Sequence, residues 1–308
     1  MGRRRKGRPV HGWLALDKPV GMTSTQALGK LRWLFGAAKA GHGGTLDPLA
    51  SGLLPIAFGE ATKTVSYMMD GIKKYAFTIE WGRTTNTDDA EGEVIAQSDM
   101  RPARNRIEAA LGRFCGHILQ TPPQFSAIKV AGERAYDIAR SGEAVALEPR
   151  EIYIEDLVIT DIPDADHCTL EATCGKGAYV RAIARDLAQV LGTCGHVSAL
   201  RRTRVGPFFE KDMISLAQLE EMRHIGAKFE ELDRCLKSVA TALDDIPALA
   251  VNKTGAALLK RGQPLLLRGN EVFPEESMIY ATLHDTPICI GQVREGCLHP
   301  VRVFNLPI

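Results

Sequence analysis

Between Gly41 and Lys63 the chain reads GHGGTLDPLASGLLPIAFGEATK, and few folds accommodate such a stretch. Five glycines and two prolines fall within these twenty-three residues, with one histidine and one aspartate among them. Gly41, Gly43 and Gly44 free the backbone to take φ above zero or to lie close against another chain. Asp47-Pro48 predicts an extended residue followed by a turn, which holds the Asp47 carboxylate at a bend. Leu53-Leu54-Pro55-Ile56-Ala57-Phe58 predicts a strand, and Pro55, which cannot donate to a ladder, predicts a sheet edge or a bulge. A glycine-framed turn that carries a carboxylate in front of a strand suits a catalytic loop. A structural hairpin whose Asp47 merely caps a turn accounts for the same residues equally well.

The flanking sequence predicts an α+β fold. Residues 11–17 predict a strand, and Thr23 or Ser24 can cap a helix whose apolar stripe is Ala27, Leu28, Leu31, Leu34 and Phe35, ended by Gly36. Residues 60–69 predict a second helix with Val65, Met68 and Met69 inward. Residues 74–81 alternate, so that Tyr75, Phe77, Ile79 and Trp81 share one strand face. A polar loop is predicted over 84–92, a short strand over 93–96, a helix over 102–114 and an extended run over 120–124. The segment from about 124 to 150 reads as an excursion from the core: a strand at 126–130, a turn at Gly132, then helical character over 134–140. There Arg134, Tyr136 and Arg140 interleave positive charge with an aromatic ring, a pattern that suits a polyanion as well as an ordinary hairpin. Strands are predicted at 150–159 and 169–173. Gly175-Lys176-Gly177 then turns the chain into a helix striped by Val180, Ile183, Ala184, Leu187 and Leu191, with Arg181 and Arg185 together on one face. A strand over 196–204 and a helix over 216–222 lead to a boundary at about 238–247. Beyond it, short apolar runs broken by glycine and proline predict a small β-rich domain over 247–308.

Bulk properties narrow the classes of function. A length of 308 residues predicts about two domains. The 45% hydrophobic and 24% charged content suits a chain with a sizeable core, and the absence of a long apolar run predicts no membrane-spanning helix. Seven cysteines without a framework, and a basic start that lacks an apolar core, predict reduced thiols in the cytoplasm. Net charge is only +1, and Arg3, Arg4, Arg5, Lys6 and Arg8 concentrate positive charge in residues 1–10, expected as a basic disordered tail. Lys73-Lys74 and Arg201-Arg202 with Arg204 are further basic clusters, each read as solvated surface. Neither GxxxxGK[ST] nor GxGxxG stands in a suitable context, so no nucleotide cofactor is expected. CxxC doublets, HExxH and GxSxG are missing, which predicts neither a metal centre nor a serine hydrolase. Asp47 can itself serve as a nucleophile at a sugar carbon or an electrophilic ring. It needs an arginine to keep it ionised and aimed, and spacing alone does not choose one among the many arginines.

Several spaced motifs together resemble one family. Gly41-His42, then Gly44-Thr45-Leu46-Asp47-Pro48-Leu49-Ala50, Gly52, Leu54-Pro55 and Gly59-Glu60-Ala61-Thr62-Lys63 are similar to the catalytic motif of bacterial tRNA pseudouridine-55 synthases, the TruB family. Leu16-Asp17-Lys18-Pro19 with Gly21-Met22-Thr23-Ser24, Lys74-Tyr75, Cys174 to Arg181 (CGKGAYVR) and His196 to Arg202 (HVSALRR) resemble its other motifs in the same order. The match runs from about Gly12 to Phe208. Gly43 and Ser51 stand where threonine is common in that family.

The resemblance implies a pseudouridine-synthase-like fold: a mixed, largely antiparallel sheet with flanking helices over 11–240, and a PUA-like RNA-binding domain at the end. It implies isomerisation of a T-loop uridine of tRNA without cofactor or metal, by a monomer. Asp47 matches the essential aspartate, Arg181 the arginine that pairs with it, and Tyr75 the tyrosine that stacks on the base and is a candidate proton acceptor. His42 matches the histidine beside the flipped nucleotides, while Tyr179 and Leu200 match walls of the uracil pocket. Lys18 and Lys63 fall in motifs expected to touch substrate or steady the loop. Arg134, Tyr136 and Arg140 fall in the flexible loop that grips the tRNA arm. A pure RNA-binding protein and an aspartate-dependent nucleoside hydrolase or glycosylase are the competing functions.

Overall fold

The computed structural model of the protein describes residues 7–126, 128–130, 133, 134, 136, 138, 147–267 and 273–307. In chain order the first half holds β1 (Gly12–Lys18), α1 (Ser24–Leu34), β2 (Ala40–His42), β3 (Ser51–Phe58), α2 (Val65–Asp70) and β4 (Lys73–Trp81). There follow β5 (Arg83–Thr85), β6 (Val94–Gln97), α3 (Arg104–Leu111), β7 (Gly116–Gln120) and the small hairpin of β8 (Lys129–Val130) with β9 (Glu133–Arg134). The second half continues with β10 (Arg150–Asp161), β11 (His167–Cys174), α4 (Val180–Leu191), β12 (Gly195–Val205), β13 (Phe208–Phe209), β14 (Ile214–Ser215) and α5 (Leu216–His224).

Among the described residues the main sheet has ten strands, ordered β14-β1-β3-β12-β4-β11-β10-β7, with β2 added to β3 and β13 to β12. The pairs β1–β14 and β3–β12 are parallel. The other ladders of this sheet are antiparallel, as expected of a mixed, largely antiparallel sheet. A second sheet, ordered β15-β17-β18-β19-β16, supplies the expected C-terminal β domain. Its strands are β15 (Ala248–Ala250), β16 (Leu265–Leu266), β17 (Met278–Leu283), β18 (Thr286–Arg294) and β19 (Cys297–Val303). Among the described residues no helix is long and apolar enough to cross a membrane.

Packing explains the sequence patterns. One core lies between the Phe77, Ile79 and Trp81 face of β4 and the stripe of α4, with Ile107 and Leu111 of α3 joining it. β4 alternates because only that face is covered. β1 and β3 read instead as continuous apolar runs, because both of their faces are covered. Leu14, Leu16, Leu54 and Ile56 pack against α1 and α5, while Trp13, Ala15, Leu53 and Ala57 face Leu243, Ile290 and Phe304 from the C-terminal part. Thr23 caps α1 in a capping box with Gln26, and Gly192 ends α4 at φ 76.

Three expectations are corrected. β3 is a central strand, not an edge. Pro55 is tolerated because β12 pairs only with Ser51 and Gly52 of β3, while β2 reaches no further than Ile56. Its carbonyl, on the same side as its nitrogen, accepts from the Gly43 N–H at 2.8 Å, where no ladder donor is required. Met69 is 48% exposed rather than inward, since a 3-10 turn over Gly59–Thr64 rephases the helix. The end of the basic tail is bound: Val10 is buried, and Arg8 pairs its backbone with Ala37 and Ala38 and its side chain with Asp233. Residues 1–6 lie outside the described residues.

Candidate active site

The loop before β3 is pinned from several directions. Ser24 exchanges two hydrogen bonds with the backbone of Leu46, at 2.8 and 2.9 Å, and the Leu46 side chain is buried in the core. The Gly21 N–H donates to the Pro48 carbonyl at 2.8 Å, and the Ala50 N–H closes a turn on the Asp47 carbonyl at 3.1 Å. Lys18, fully buried, donates to the carbonyls of Pro19 and Met22 at 2.8 Å and more weakly to Pro48 at 3.5 Å. Gly43 has a local reason: a Cβ there would meet Met68 Cγ at 2.7 Å, so Met68 fills the space a threonine would occupy. Backbone and core therefore hold the half-exposed Asp47 carboxylate in place before any ligand arrives.

That carboxylate faces a cavity of about 560 Å³ whose lining includes Asp47, Tyr75, Tyr179, Arg181, Leu200 and Arg202. Arg181 projects from the first turn of α4 and is only 5% exposed. Its Nη2 lies 2.9 Å from Asp47 Oδ2 and donates to the Phe125 carbonyl at 3.0 Å. Its Nη1 donates to the Thr87 carbonyl at 2.9 Å and lies 3.4 Å from Asp89 Oδ2. The guanidinium thus meets Asp47 through one nitrogen rather than a two-pronged fork, because the other nitrogen is committed to residues 87 and 89. Arg185, one turn on, pairs with Asp88 at 3.0 Å and Asp186 at 2.8 Å.

These partners lie in the segment expected as a plain polar loop. Asp88 and Asp89 are buried, and the backbone of residues 88 and 90 pairs with Val197. Burial pushes the Asp88 carboxyl above its ordinary value, against the pull of Arg185 and Arg181. A doublet of aspartates flanked by threonines is a weak signal for such an anchor, and it becomes readable only beside the Arg181 and Arg185 pair.

Tyr75 sits on β4 opposite Arg202 of β12. Burial raises its phenol above the ordinary tyrosine value, and the Arg202 charge opposes that rise. Tyr179 caps α4 and is held by Gln120, which accepts from its N–H at 2.9 Å and donates to its carbonyl at 3.2 Å. Lys73, 7% exposed, forms part of the wall, and burial lowers its ammonium to about 8. The buried Cys174 thiol opposite it in the ladder is pushed up to about 12 and stays neutral.

The other expected contacts are distributed less simply. Tyr179 and Leu200 do line the cavity. His42 does not; it closes the β2 ladder against Ile56, and burial followed by the Arg202 charge lowers its pKa. Lys18 lies behind the loop rather than in the cavity, its ammonium lowered to about 8 by burial. Lys63 turns away, donating at 2.7 Å both to Glu60 and to the Val303 carbonyl of the C-terminal domain. Tyr136 is 38% exposed, its ring edge-on to Phe125 at 6.1 Å, so it neighbours the segment that Arg181 grips. Of Arg134 only the backbone pairing with Lys129 is described, and Arg140 lies outside the described residues, as does most of the helix expected over 134–140.

Comparisons with known proteins add the following. The model of the TruB family pseudouridylate synthase N-terminal domain matches residues 32–180, and that of the tRNA pseudouridylate synthase B C-terminal domain matches residues 181–244. The chain is 56% identical over 304 residues to tRNA pseudouridine synthase B of Bradyrhizobium diazoefficiens, covering 98% of this chain and 88% of that one. It is 53% identical to the protein of that name from Cereibacter sphaeroides over 307 residues, covering 99% and 100%. Among solved structures, an H/ACA RNP bound to a substrate RNA containing 2'-deoxyuridine has a chain that superposes with TM-score 0.75 at 20% identity, covering 100% of this chain and 92% of that one. A Cbf5-Nop10-Gar1 complex gives TM-score 0.73 at 21% identity, covering 100% and 92%. These two likenesses show the fold.

Proposed function

The chain belongs to the TruB family of pseudouridylate synthases and isomerises uridine in tRNA to pseudouridine; we propose that the target is the T-loop uridine and that Asp47 is the nucleophile. The observation that carries this reading is the Arg181–Asp47 ion pair at 2.9 Å, at the wall of a cavity that also holds Tyr75.

The reaction exchanges one bond of ribose C1′ for another. Asp47 bonds transiently to the nucleotide, and that bond breaks again with its pair returning to the carboxylate. The N1–C1′ bond breaks with its electron pair going to N1, the uracil turns, and C5 bonds to C1′. C5 then loses a proton and N1 gains one, so substrate and product are isomers. A uridine stacked in a folded loop must first be extruded, at roughly a few kcal/mol. The aromatic walls of Tyr75 and Tyr179 and the apolar side of Leu200 offset that cost by receiving the base. Arg181 keeps the Asp47 carboxylate ionised and aimed. Tyr75, held protonated by burial, stacks on the base. It takes the C5 proton only after giving up its own, N1 being the atom that gains one, with a neighbouring charge supporting the phenolate between the two transfers. The assignment of residues 11–240 as the catalytic domain and 247–308 as an RNA-binding domain, action as a monomer and a cytoplasmic location belong to the same proposal.

The test uses tRNA transcript carrying tritium at uracil C5. Wild type is expected to release tritium while the base stays in the RNA, and Asp47→Asn to release none while folding and binding tRNA normally. Tritium release by Asp47→Asn, or binding without release by wild type, sinks the nucleophile assignment; free uracil would identify an aspartate-dependent glycosylase and sinks isomerisation instead.

A further inference from the structure

The basic cluster near residue 202, expected as solvated surface, divides in the fold. Arg201 pairs with Asp17 at 2.9 Å and Glu210 at 2.7 Å, and Arg204 lies over the Phe209 ring at 4.8 Å. Arg202 goes the other way. It is 2% exposed, lines the cavity, and forms no ion pair among the described residues. Its Nε donates to the Leu53 carbonyl at 2.7 Å, its Nη1 to the Thr45 carbonyl at 3.1 Å and its Nη2 to the Gly44 carbonyl at 3.3 Å. In the ladders it stands opposite Gly52 of β3 and Tyr75 of β4.

We propose that Arg202 is a positioning residue for the isomerisation, fastening the Asp47 loop to β12 while facing Tyr75 with a fixed positive charge; this rests on the roles given above to Asp47 and Tyr75. A guanidinium buried without a counter-ion opposes folding unless its hydrogen bonds and its field are used. Both are used here. Three planar N–H groups clamp both ends of the loop, at Gly44-Thr45 and at Leu53, a span that the single ammonium of lysine cannot cover. The charge sits across the ladder from the one phenol in the proposed catalytic set, where burial alone would leave a transient phenolate unsupported.

The two duties separate in Arg202→Lys and Arg202→Met. Single-turnover tritium release, tRNA affinity, thermal melting and titration of tyrosine labelled with 13C at Cζ are measured for each, with Tyr75→Phe assigning the Tyr75 resonance among six tyrosines. Arg202→Lys is expected to lose about 10²-fold in the single-turnover rate, the scale of a small misplacement of the attacking group. Its tRNA affinity stays within about threefold and its Tyr75 titration stays near wild type, because the charge remains. Arg202→Met is expected to lose more and to move the Tyr75 titration further upward. Rates within about threefold of wild type in both variants overturn the proposal. So does a loss that appears in tRNA affinity rather than in rate, or a failure of both variants to fold, since each makes Arg202 a binding or stability residue. Asp47→Asn runs in parallel: if it stays active, the reading of the site itself has failed, whatever Arg202 does.

Discussion

At the scale of single residues, the site is a set of charges whose neighbours decide what they can do. Arg181 holds Asp47 with one nitrogen and is itself held by Thr87, Asp89 and Phe125. Arg181→Lys keeps the charge but cannot reach those partners together, so the single-turnover rate is expected to fall by about 10²- to 10³-fold, the scale of one lost electrostatic contact in an active site. A rate within tenfold of wild type in a tritium-release assay would show that geometry at this position is dispensable. Lys73 carries a pH signature with a definite sign. Its folded pKa is lowered from 10.5 to about 8 by burial, with the Arg202 charge adding to the fall. Below about pH 8 the ammonium is protonated in both states and disfavours the folded one. From there to about 10.5 the unfolded chain binds a proton that the folded chain has released, so stability rises with pH. The stability advantage of Lys73→Met over wild type in urea denaturation is therefore expected to shrink between pH 7 and pH 10; a constant or growing advantage contradicts the burial argument.

At the scale of elements, the Asp47 loop depends on the junction of β3 with β12. Gly52 has φ 97, and a Cβ built there would stand 2.3 Å from the Arg202 carbonyl oxygen, a backbone atom that cannot swing aside. Gly52→Ala is expected to destabilise the protein by about 1–3 kcal/mol and to depress tritium release more than tRNA binding, since it separates the strand that follows Asp47 from the strand that carries Arg202. Denaturation and filter binding of one preparation check both halves. This junction also marks where sequence reading stops. α1, β4 and α4 were legible because one face of each meets one core, which leaves a period in the residues. Residues 85–92 have no such period, since their burial comes from Arg181 and Arg185 reaching in from a distant helix. Arg202 looked like surface because a charged side chain in a strand carries no mark of which face it points to. Spacing alone could not pair Asp47 with Arg181. The family resemblance named the pair, and the folded chain supplies the distance.

At the scale of the whole molecule, the two sheets share a core rather than meeting as separate beads. Trp13 and Val205 cluster with Ile290 and Phe304, the Lys63 ammonium donates to Val303, and the Asn305 N–H donates to Glu60. Ending the chain at residue 247 removes Ile290 and Phe304 from the core they share with one face of β1 and β3, leaving Leu243 and Val239 as partial cover. The truncated protein is expected to melt at least 10 °C lower than the full chain, or to aggregate, with loss of tritium release; a soluble, active fragment with unchanged melting would show the C-terminal domain to be an independent appendage. The same architecture sets a problem of timing. β3 acquires its partner β12 only after Arg201 and Arg202 have been synthesised, so while residues 59–200 are being made an apolar strand has one side without its final neighbour. A strand in that condition invites pairing with another nascent copy. Pro55, whose missing N–H costs the finished sheet nothing, interrupts that side in the middle of the run, so a second copy pairing there would find one ladder donor missing.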